Sequence, residues 1–122
     1  MFTTVPVAAE GGTARREVIA GRVVGAQPDQ RIVVYARSGV GLWWVQPLTT
    51  KPFTTINPDA TWNNTIHLGI EYAALLVQPE YRPPDTTEVL PRPGGEVIAV
   101  ATVKGTGAYV PAPLKRLTFS GY

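Results

Sequence analysis

His67 is the only side chain of this sequence with an ordinary pKa near neutrality, so any general acid–base chemistry at neutral pH would centre on it. A hydrolytic arrangement would also need a nucleophile within reach. Cysteine is absent, and the only serines are Ser38 and Ser120. Ser38 opens a Ser-Gly-Val-Gly turn and Ser120 stands in the tail, so neither has the setting of a nucleophile elbow. The sequence therefore predicts a hydrogen-bonded structural histidine and no catalytic residues. Glu71 follows His67 at a helical i,i+4 spacing, but Gly69 intervenes and both segments read as strands. With no second histidine and no cysteine, no zinc site is expected. Asp59, Asn63 and Asn64 offer oxygen ligands without the alternating acids and fixed glycine of a calcium loop, so they read as turn and local pairing residues. The acids Glu71, Glu80, Asp85, Glu88 and Glu96 fall at strand starts and in a proline-rich stretch, where solvated carboxylates ordinarily go. No metal and no cofactor are expected.

The aromatic residues carry more information. Trp43 and Trp44 are adjacent in a strand-like run, so their side chains must leave opposite faces. Val45 shares a face with Trp43 and Gln46 shares one with Trp44, which predicts Trp43 in the core and Trp44 outside. An outward Trp44 would stack on Tyr35 across a hairpin, or offer a flat surface to a sugar ring with Tyr81 and Arg82 beside it. Trp44, Tyr35, Tyr81 and Arg82 are thus the candidate ligand-binding residues.

These residues are positioned by short β-branched runs separated by turn signals. Strands are expected over 17–25, 31–37, 42–48, 54–56, 62–68, 71–78 and 96–104. Within 31–37, Ile32, Val34 and Ala36 share one face while Val33, Tyr35 and Arg37 share the other. Glu71 to Gln78 is too short for a stable helix, has no cap and is bounded by Gly69 and Pro79, so it reads as a strand. Seven strands with a turn about every ten residues predict an all-β fold, an immunoglobulin-like two-sheet antiparallel β-sandwich. Residues 72–77 and 97–103 are apolar on both faces, so either the proline-rich stretch from Pro79 to Gly95 or a neighbouring surface should cover them. The expected organisation is a leader arm over 1–16, the sandwich over 17–105 and a tail or linker over 106–122 toward a following domain.

With 122 residues the chain matches one domain. Its formal net charge is only +2, and its basic residues are scattered apart from Arg15-Arg16 and Lys115-Arg116. A nucleic-acid binder would show a basic stripe with interleaved aromatics, so no nucleic-acid partner is expected. No apolar run approaches the ~20 residues of a membrane helix, so no direct membrane insertion is expected.

Tyr35-Ala-Arg-Ser-Gly, Trp43-Trp44-Val-Gln-Pro, Asp59-Ala-Thr-Trp62 and the run from Thr65 to Val77 carry a resemblance. Over roughly 17–105 the chain resembles bacterial immunoglobulin-like accessory domains of multidomain extracytoplasmic proteins. Such domains occur beside sensor or concanavalin-like, laminarinase-like modules. The end, Leu117-Thr-Phe-Ser-Gly-Tyr122, is similar to the opening of such a concanavalin-like domain. One departure is Ala60, where a turn of the Asp-Gly-Thr-Trp type carries glycine. The resemblance implies a non-catalytic accessory module, serving as a spacer or interdomain packing surface. It also implies a neighbouring domain of the same polypeptide as partner and a secreted or periplasmic setting. The alternative is a carbohydrate-binding module with glycan as its partner and an exposed aromatic platform.

Overall fold

The computed structural model describes residues 1–10 and 15–107. Eight strands make two antiparallel sheets, and no helix occurs among the described residues. Strands β1 (Phe2–Thr4), β2 (Arg16–Arg22) and β5 (Thr61–His67) form the smaller sheet in the order β1-β2-β5. Strands β3 (Arg31–Arg37), β4 (Trp43–Gln46), β6 (Glu71–Val77), β7 (Thr86–Thr87) and β8 (Val97–Lys104) form the larger, in the order β7-β4-β3-β6-β8. The chain changes sheet between β2 and β3, between β4 and β5, and between β5 and β6. Setting aside the two-residue β7, this is a seven-strand immunoglobulin-like sandwich.

Between the sheets, Ile19, Ile32, Val34, Ala36, Ile66, Tyr72 and Leu76 pack with Trp62, the largest side chain of this core. Gly21 makes room for it, since a Cβ at this position would fall on the Trp62 indole. Phe2 meets the same ring edge-on at 6.0 Å. Tyr72 closes one end of the core. Its hydroxyl accepts from the Gly69 N–H (3.0 Å) and donates to the Val7 carbonyl (2.7 Å), which ties the β5–β6 corner to the leader. A tyrosine at the start of this strand, bonded back to the corner before it, is a recurrent device of such sandwiches.

A second core lies on the opposite face of the larger sheet. Val33, Tyr35, Trp43, Val45, Ala73, Leu75, Val77 and Val97 are buried there, covered by Phe53, Tyr81 and Leu90. The cover includes the proline-rich segment, whose β7 pairs with β4 and whose base closes through Gln78 N–H to the Glu96 carbonyl at 2.9 Å. The two-sided apolarity of β3 and β6 is thereby explained: both strands are central, and each of their faces belongs to a different core.

Some expectations meet a finer picture. The leader supplies a strand, since β1 pairs with β2, and residues 6–9 bond to Thr106 and Gly69. Thr54 to Ile56 is no strand. Thr54 alone bridges Ile32, through reciprocal bonds of 3.0 and 2.7 Å, between the interrupting Pro52 and Pro58. Trp43 is buried as expected, but in the outer core under the proline-rich segment and not between the sheets. Strand β8 is not a central strand under the proline-rich segment but a largely exposed edge. Gly11, Gly12, Ser120 and the tail segment Leu114 to Phe119 lie outside the described residues.

Candidate functional site

The four candidate binding residues divide between the two faces of the larger sheet. Strand register sets Tyr35 opposite Val45 and Trp44 opposite Ala36. Ala36 packs in the inter-sheet core and Tyr35 in the outer one, so Trp44 and Tyr35 point to opposite faces and do not stack. Tyr35 is wholly buried, and its hydroxyl donates to the Pro84 carbonyl at 2.7 Å. Burial is the main reason its ionisation is displaced far upward, with the negative charge of Tyr81 and Asp85 adding to it. Tyr81 packs onto the outer core, and burial raises its pKa as well. Arg82 is exposed, and its guanidinium turns back toward the carbonyls of Glu80 and Tyr81, each at 3.4 Å. Trp44 alone presents a large aromatic surface to solvent, at 48% exposure.

Trp44 stands at a seam. On its face of β4 the next side chain is Gln46, which is buried, and the Gln46 Oε1 accepts from the His67 N–H at 3.0 Å. The same oxygen lies 3.3 Å from His67 Nδ1. Gln46 therefore stitches the β4 side of one sheet to the edge of β5 in the other, and His67 is held as part of that stitch. Sequence reasoning named His67 but missed Gln46, because a glutamine inside a strand carries no signal for the edge it will satisfy. Ser38 sits in the β3–β4 turn with its hydroxyl buried and unpartnered among the described residues, and no hydrogen bond joins it to His67.

Glu71 and Asp59 are engaged locally. Glu71 accepts from Arg37 Nε (2.9 Å) and pairs with Nη2 (2.8 Å), while the same guanidinium lies 5.7 Å over the Trp43 ring. Asp59 accepts from the Thr61 N–H (3.1 Å) and hydroxyl (2.5 Å), bonds that lower its pKa although it is fully exposed. Asn64 turns inward to donate to the Thr54 hydroxyl at 2.9 Å, and Asn63, its neighbour on β5, faces outward. Asp59, Asn63 and Asn64 thus do not converge on one point. Among the described residues, no three His, Asp or Glu side chains gather as a metal site would require.

Two hollows remain. One, of about 290 Å³, lies at the pole where β2 ends and β5 begins, lined by Val23, Gln27, Gln30, Asn57 and Ala60 among others. The second, of about 90 Å³, is an apolar groove between the sheets beside β8, lined by Phe2, Trp62, Leu76, Ala99 and Ala101 among others. Set against protein-family models, characterised proteins and solved structures, the chain matches none.

Proposed function

We propose that this domain is a non-catalytic accessory module of a larger bacterial extracytoplasmic protein, acting as a spacer and packing surface between neighbouring domains. The observation that carries this reading is the path of the chain. The start of β1 lies beside Arg22 at one pole, where the Met1 amino group donates to the Arg22 carbonyl at 3.0 Å. The end of β8 lies at the other, where Thr106 bonds to Pro6 and Ala8 beside the Gly69 corner. Among the described residues, Met1 and Thr106 thus stand at opposite poles, about the length of a strand apart, which suits a spacer. The aromatic residues support the same reading, since Tyr35, Trp43, Trp62 and Tyr72 are spent on the two cores. Fused between two rigid reporter domains, the module should give an elongated particle in small-angle scattering. Reporters lying side by side in a compact particle would contradict the spacer role.

A second reading rests on Trp44, whose exposed ring suits a sugar face. It predicts a glycan-array signal for the intact chain that disappears in Trp44→Ala. Tyr35 contributes nothing to such a site directly, because it is buried on the other side of the sheet.

A further inference from the structure

The hollow of about 290 Å³ at the pole where β2 ends and β5 begins is lined by amide groups that the fold leaves unspent. Val23, Ala26 and Ile56 give it an apolar lining, since all three also pack against the inter-sheet core. No charged and no aromatic residue lines it. Gln30, also in the lining, is only 7% exposed. Its N–H donates to the Gln27 carbonyl (3.0 Å), and its Oε1 accepts from the Gln27 N–H (2.9 Å). This reciprocal pair clamps the side chain and fixes which end of the amide is which. The Gln30 Nε2 has no hydrogen-bond partner among the described residues. A buried NH2 group left unpaired costs free energy that an acceptor in the hollow would restore. Asn57 supplies the complement. The Thr61 hydroxyl gives its proton to Asp59, so Asn57 Nδ2 donates to Thr61 Oγ1 at 3.1 Å. The Asn57 Oδ1 is then the acceptor left without a partner among the described residues.

We propose that this hollow binds one neutral sugar ring, with Gln30 Nε2 as donor, Asn57 Oδ1 as acceptor and Val23, Ala26 and Ile56 against the C–H face of the ring. The chemistry of the lining selects this class. A hydroxyl both donates and accepts, so neighbouring hydroxyls of one ring satisfy both amides. An anion would find no cationic side chain here, and a flat heterocycle would find no ring to stack on. The volume lies at the low end for ligand sites, which suits a single ring and not a longer chain. The site is independent of the spacer role and of Trp44, which is not in its lining.

Proton–nitrogen correlation NMR of the complete 122-residue chain tests this, with glucose, galactose, mannose and N-acetylglucosamine added separately. The expected result is a saturable shift of the Gln30 and Asn57 side-chain amides with at least one of these sugars, at a dissociation constant on the order of millimolar. Gln30→Glu keeps an oxygen for the Gln27 N–H but loses the NH2 group, and should weaken binding by on the order of tenfold. Asn57→Ala should weaken it similarly, and its exposed position keeps the test decisive should the buried substitution unsettle the fold. Trp44→Ala should leave binding unchanged. Absence of a saturable shift with every sugar up to roughly 100 mM would overturn the proposal. So would binding that neither variant weakens, or shifts gathered around Trp44. A response to the neutral blocked peptide N-acetylalanine methylamide in place of the sugars would also overturn it.

Discussion

The Tyr35 hydroxyl donates to the Pro84 carbonyl at 2.7 Å and so fastens the proline-rich segment over the outer face of the larger sheet. That one bond joins a central strand to a loop 49 residues further along the chain. Beside it, the Val45 N–H donates to the Asp85 carbonyl at 2.9 Å, and β7 continues the pairing. The segment is therefore an integral wall of a second core.

Tyr35→Phe removes the fastening without opening a cavity. A net loss of about 1 kcal/mol is expected. Hydrogen exchange should report it locally: the Val45 amide, which is bonded into this segment, should exchange faster relative to amides of β2 and β5. Equal protection in both proteins would show that the bond does not hold the segment down.

Gly21→Ala sets a methyl group against the Trp62 indole and the Met1 carbonyl. Overpacking of this kind costs roughly 1–3 kcal/mol. Chemical denaturation should show the loss, and the emission of Trp62 should change as its ring is displaced. A variant as stable as the parent would mean that the indole is free to move aside.

Ala60 occupies left-handed backbone, with φ of 72°, in the turn where its N–H bonds to the Asn57 carbonyl. This backbone is strained for any residue with a Cβ, at roughly 1–2 kcal/mol. Ala60→Gly should therefore stabilise the domain, by about 1 kcal/mol once glycine's greater freedom in the unfolded chain is set against the relief. A rise in the unfolding midpoint is the expected reading, and a fall would contradict the strain.

The alkaline limb of stability follows from the tyrosines. Burial holds Tyr35 and Tyr72 above the ordinary tyrosine value of about 10, so their protons are released first from the unfolded chain. The stabilisation from these raised pKa values is complete below that value and is lost as pH rises from it through the higher values that burial gives these tyrosines. Unfolding monitored against pH should show a decline beginning near pH 10, with phenolate absorbance appearing together with loss of structure. Phenolates of all tyrosines forming in an intact fold would refute this.

Much of the sandwich was legible because its central strands alternate cleanly. The two faces of β3 follow from the order Ile32-Val33-Val34-Tyr35-Ala36, and the opposed directions of Trp43 and Trp44 follow from adjacency alone. Alternation gives the faces relative to one another, however, and leaves open which face looks at the other sheet. That is why adjacency puts Trp43 in a core without saying that it is the outer one, while Trp62 fills the space between the sheets. The strand β7 was hidden by the prolines around it, since its two threonines gain a partner only when the segment folds back onto β4. Tyr35 and Trp44 are one register step apart across the hairpin and so leave opposite faces, which divides the candidate binding residues between the two sides of the sheet. In the Asp-Ala-Thr-Trp turn, the missing glycine did point to a real feature, the left-handed backbone of Ala60.

The spacer reading rests on Met1 and Thr106 standing at opposite poles, and a distance across the module tests it most directly. The chain has no cysteine, so Met1→Cys and Thr106→Cys would carry two spin labels and no others. The path from one pole to the other, six or so strand residues at about 3.3 Å each, predicts a narrow distribution at about 20 Å or beyond. Labels much closer than that, or a broad distribution in the folded chain, would contradict it.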